Sequence, residues 1–135
     1  TIRRIRELID QDQYDWAALR MYDFWGSLTH YRDDLWWNLH RRHTMMLARY
    51  LPGYHYAYPR WDHHVPRLPF TCAALPGLRS ELRVKHWGWA GDASDRLAKY
   101  NRYKQLDPDG RWGSIDHYES ILDPAPNLVR WVEEE

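Results

Sequence analysis

Cysteine occurs once in the 135 residues, at Cys72. That excludes an internal disulfide and fits a reducing compartment, so the expected location is cytoplasmic. Net charge is also missing: 19 Lys and Arg face 19 Asp and Glu. A neutral chain has no global field drawing it to DNA or to an anionic membrane, so no nucleic-acid partner is expected. No apolar run approaches the ~18 residues of a membrane span, and no signal peptide opens the sequence. There is no P-loop, GxGxxG, HExxH or CxxC, which leaves neither a nucleotide fingerprint nor a zinc motif. Repeats and low-complexity runs are absent, and nothing marks an internal boundary. The expectation is one modest domain over residues 1–135, long enough for a core. The first residue is Thr1 rather than methionine, which points to a processed chain or a piece of a longer protein.

What is present in excess is tryptophan and tyrosine. Nine Trp and ten Tyr stand against two Phe. These side chains join a large flat apolar area to a polar handle, and they line cores, protein interfaces and sugar-binding clefts alike. Eight His add candidate metal or proton sites.

Periodicity predicts a small mixed α/β or α+β fold, with about four short strands and two or three helices. Ile2, Ile5, Leu8 and Ile9 repeat at helical spacing, giving a helix over residues 1–9. Residues 16–24 place Ala17, Leu19 and Met21 on one face of a half-buried strand. The Leu-Pro-Gly at 51–53 predicts a hairpin between residues 45–50 and 54–58. The Pro-broken segment that follows, residues 59–70, is expected to be irregular, and 72–80 to be a loop. Leu82, Val84 and His86 share a face of a short strand. Ser94 is the expected cap of a helix to Leu106, and Ser114 that of a second helix stopped by Asp123-Pro124. The tail is expected to be extended.

Several residue groups invite chemistry, and each has a plainer reading. His86, at a strand end before Gly88, is placed to enter a cleft as a metal ligand or to be a hydrogen-bonded core histidine. His63 and His64 are adjacent in extended chain and point to opposite sides, so they read as exposed loop residues. Asp33 and Asp34 follow Arg32; a carboxylate there serves as a general base, or simply caps the loop and pairs with arginine. Trp25, Trp36, Trp37, Trp87 and Trp89 are stacking platforms or core. Lys99 lies in the basic, aromatic KYNRYK segment, which meets phosphate or forms a solvated helix face.

Three stretches together, YDFWGSLTHYRDDLWW, RVKHWGWA with RLAKYNRYKQLDPDGRWG, and HYESILDPAPNLVRW, resemble the C-terminal half of bacterial family-2 glycosyltransferases of the GT-A fold. The resemblance covers most of residues 22–131, and KHWGWA followed by KYNRY is its most specific part. It implies a nucleotide-diphosphate-sugar donor, a sugar-type acceptor, and Mn or Mg held on the diphosphate by an Asp-x-Asp motif in an N-terminal half. Asp34 is then the candidate base. His86 is the candidate metal ligand, Lys85 and Lys99 meet phosphate, and Trp25, His30, Arg32, Trp87 and Trp89 border an acceptor groove. No Asp-x-Asp followed by the family's helix is present. The expectation is therefore an acceptor-side portion, incomplete in metal site and inactive by itself. A carbohydrate-binding or protein-interaction module and a purely structural segment are the other readings.

Overall fold

A computed structural model of the protein describes residues 2–60 and 67–133. The Asp62-His63-His64 stretch lies outside the described residues, with 61, 65 and 66 of the Pro-broken segment around it, and so does Thr1. The elements run α1 (Ile2–Asp10), β1 (Trp16–Trp25), β2 (His30–Arg32), β3 (Thr44–Ala48), β4 (Gly77–Trp89), α2 (Ala93–Leu106), α3 (Ile115–Glu119) and β5 (Leu128–Arg130). Short 3₁₀ turns occupy Leu39–Arg41, Phe70–Ala74 and Ser120–Leu122. The class is mixed α/β, as expected, with one strand more among the described residues.

β1 is the centre of the sheet. Along one edge it pairs in parallel with β4, from Trp16↔Gly77 to Trp25↔Trp89. Its other edge carries β3 antiparallel at Ala17↔Leu47, then β2 antiparallel at Phe24↔Tyr31. β5 adds antiparallel to β2 at Tyr31↔Val129. Neighbours on both edges and cover on both faces change the expected half-buried strand into one with eight buried residues out of ten. Parallel pairing explains this, because both faces of such a pair are normally covered.

Two apolar clusters flank β1. Leu8 of α1 packs on Ala17 and Leu19, with Leu78, Leu82 and Val84 of β4 around them. Nearer the C-terminal end of β1, Trp25, Trp37, Trp89 and Ile121 form the second cluster, backed by Tyr100 and Tyr103 of α2. The opposite face at that end belongs to Tyr22 and Phe24, covered by Trp131 at ring separations of 5.0 and 5.5 Å.

Local expectations fail in three places for identifiable reasons. The hairpin at 45–58 does not form; β3 pairs with β1, and the Tyr54 hydroxyl instead donates to the Thr71 carbonyl at 2.6 Å. The expected loop at 72–80 becomes a 3₁₀ turn and then the start of β4. Gly77 permits this, since a Cβ there would lie 1.9 Å from the Trp16 indole. The cap of α2 is Asp92, whose carboxylate accepts the N–H groups of Ser94 and Asp95 at 2.8 and 3.0 Å. Ser94 sits in the first turn and donates its hydroxyl to that carboxylate.

Candidate functional site

Register builds the site. Because β1 and β4 run parallel, Asp23 lies opposite His86 although 63 residues separate them. Asp23 Oδ1 is 2.6 Å from His86 Nδ1. Asp23 is 7% exposed, whereas the imidazole is 35% exposed. In the neutral ring a buried carboxylate on Nδ1 favours the tautomer with the proton on that nitrogen, in which Nε2 is the acceptor. Among the described residues nothing hydrogen-bonds Nε2. Gly88 makes the ring position possible, because a Cβ at residue 88 would sit 2.6 Å from Nε2.

The pair opens on a cleft of about 340 Å³, within the size range of small-molecule sites. Trp36, Trp37, Trp89 and Trp112 wall it, with Tyr103 and Tyr118 behind and Arg42 and Arg67 also lining it. Two of these walls are anchored by hydrogen bonds. Trp37 donates its indole N–H to Ser120 Oγ at 2.9 Å and packs 4.8 Å from Trp89. The Trp112 turn is held by Asp107, which accepts the N–H groups of Arg111, Trp112 and Gly113 and the Tyr118 hydroxyl at 2.7–3.0 Å. Burial pushes the Asp107 carboxyl up, but these four donors outweigh it and hold the group at about 2. Burial and the same carboxylate push the Tyr118 hydroxyl up.

The residues expected to border one groove do not converge. Trp25 is 2% exposed, stacked on Trp89 and edge-on to Trp37 as core. Arg32 is 1% exposed and bonded to Asp34, Asp123 and the Ser120 carbonyl. Asp34 does not present a free carboxylate: Oδ2 accepts the Arg32 Nε–H at 2.5 Å, and Oδ1 accepts the N–H groups of Trp36 and Trp37. It shapes the Trp36–Trp37 wall instead of facing a reacting hydroxyl. His30 and an edge of Trp25 line a separate hollow of about 740 Å³ with Arg96 and Asp123. Trp87 is 60% exposed and, one residue on from His86, belongs to the other face of β4. Lys85 shares that face, bonded to Glu133 and set 5.2 Å over the Trp131 ring. Lys99 lies 4.7 Å over the Trp89 ring, at the aromatic wall. Of the expected set, His86 and Trp89 meet in the cleft.

Sequence reasoning missed Asp23, Arg42, Arg67 and Trp112. No local motif marks Asp23; only the pairing of YDFW with KHWG brings it to His86. For Mn or Mg, His86 Nε2 with Asp23 behind it fits one ligand of a shell. Among the described residues no group of three His, Cys, Asp or Glu is assembled to supply the rest. Compared with known protein families, curated proteins and solved structures, the chain matches none.

Proposed function

We propose that the chain is the acceptor-side part of a glycosyltransferase that uses a nucleotide-diphosphate sugar, and that the cleft over Asp23–His86 receives the acceptor saccharide. One observation carries this reading: a carboxylate-held imidazole, bonded at 2.6 Å, opens into a cleft walled by tryptophan. Sugar rings offer apolar CH faces to indoles, and Trp36 and Trp112, each 39% exposed, are the accessible ones. His86 Nε2 accepts the proton of a saccharide hydroxyl as that oxygen becomes nucleophilic, and Asp23 stabilises the imidazolium that results. The base role expected of Asp34 thus passes to His86. A bound Mn or Mg would supply charge neutralisation of the leaving diphosphate; since His86 Nε2 is the base in this reading, the ligands of that ion would come from elsewhere in the enzyme.

The test is titration of the chain with mono- and oligosaccharides, read by tryptophan fluorescence. Binding that Trp112→Ala removes, and that His86→Ala weakens while the chain stays folded, is the expected result. In the same experiment the chain alone releases no nucleotide from any sugar-nucleotide donor. Absence of saccharide binding sinks the reading.

A further inference from the structure

Some arginines are matched to carboxylates. Arg4 bonds Glu81 and Glu7, Arg32 bonds Asp34 and Asp123, Arg41 bonds Asp33, and Arg49 faces Asp15. Other arginines, Arg20 and Arg79 for example, have no such ion pair among the described residues, and the two exposed arginines lining the Asp23–His86 cleft belong with these. Among the described residues neither Arg42 nor Arg67 has a carboxylate partner. Arg67 Nη2 lies 3.2 Å from Met21 Sδ, and Met21 is 4% exposed. A thioether is a weak acceptor that cannot offset a guanidinium charge. Among the described residues the one carboxylate lining the cleft, Asp23, is bonded to His86. In a molecule of zero formal net charge, the described lining of this cleft thus carries two guanidinium groups against one carboxylate. A guanidinium fork matches the planar oxygens of carboxylate or phosphate, and two of them lining a 340 Å³ space favour a ligand that brings such a group.

We propose that the ligand of this cleft carries an oxyanion, carboxylate or phosphate, which Arg42 and Arg67 bind while the aromatic wall and His86 take the remainder. That remainder rests on the saccharide reading above; the oxyanion does not. The oxyanion has two sources, an acidic sugar or the diphosphate of a donor.

The experiment compares glucose, glucuronate, glucose 6-phosphate and inorganic pyrophosphate on the intact chain, by tryptophan fluorescence and by thermal shift. The two acidic sugars are expected to bind at least about tenfold more tightly than glucose, the scale of a charge-assisted contact. That advantage shrinks in about 0.5 M salt. In the Arg42→Gln/Arg67→Gln variant the acidic sugars fall to the level of glucose, which itself does not change. The comparison within the unaltered chain stands even if the double variant melts early, and each single variant repeats it. Equal binding of acidic and neutral sugars overturns the oxyanion and leaves the saccharide reading intact. Arginine-dependent binding of pyrophosphate with no sugar bound supports the oxyanion, assigns it to the donor and defeats the acceptor reading. If none of the four probes binds, both fail.

Discussion

Arg32 shows how a charged residue in this chain is used for construction. Its guanidinium is 1% exposed, lies 4.5 Å over the Trp25 ring, and joins β2 to the turn after α3 through Ser120 and Asp123. Arg32→Met would leave Asp34 without its ion pair and the Ser120 carbonyl without its donor. Breaking a buried pair from one side costs ~3–5 kcal/mol, and the partly exposed Asp123 puts this case at the low end. Arg32→Lys should also destabilise, because an ammonium cannot serve three directions in one plane. Urea unfolding checks both; a loss below about 1 kcal/mol would show that the hub is dispensable. The sequence made half of this legible. Tyr-Arg-Asp-Asp reads plainly as an arginine paired with a nearby carboxylate, and that is Asp34. Asp123, 91 residues away, carries no local signal.

At the scale of elements, β4 decides most of what was and was not readable. α1, α2 and the stop at Asp123-Pro124 follow from periodicity and from chain-breaking residues, which act within a few positions. The parallel register of β1 and β4 is nonlocal, so it stayed hidden, and with it the Asp23–His86 pair. Two glycines of β4 separate its structural from its functional end. Gly77→Ala would drive a methyl into the Trp16 indole and disturb the indole N–H bond to the Leu75 carbonyl at 2.8 Å. Overpacking of this kind costs ~1–3 kcal/mol, so the melting temperature should drop by several degrees. Gly88→Ala meets only the far edge of an imidazole that can turn aside. It should lower the melting temperature less than Gly77→Ala does, displace the His86 ring signals in NMR and remove the His86-dependent part of ligand binding. Equal stability losses from the two substitutions would refute this division of β4.

For the whole molecule, pH reveals which buried groups the fold holds away from their ordinary ionisation. His40 stacks on Tyr22 at 4.9 Å and lies 3.3 Å from Asp33. Burial lowers its pKa below 6.5, with Arg41 and Arg20 adding to the effect and Asp33 and Asp23 opposing it. The unfolded chain therefore takes up this proton first. The stability due to neutral His40 is complete above 6.5 and declines as pH falls through 6.5 toward the lower folded value. Asp107 acts further down: its folded pKa of about 2 lies below the ordinary 3.8, so its contribution is complete above 3.8 and is lost as pH falls from there to about 2. The melting temperature should thus be level near neutrality, decline once in mild acid and decline again, more steeply, below pH 3.8. His40→Phe keeps the stacking on Tyr22 while removing the titration, and should flatten the first decline alone. Asp107→Asn should lower stability at neutral pH, because an amide is a weaker acceptor for three N–H groups and a hydroxyl, and should also soften the second decline. Thermal melts across pH 2–8 measure both. A first decline that persists in His40→Phe would assign it to another of the eight histidines and remove His40 as the cause.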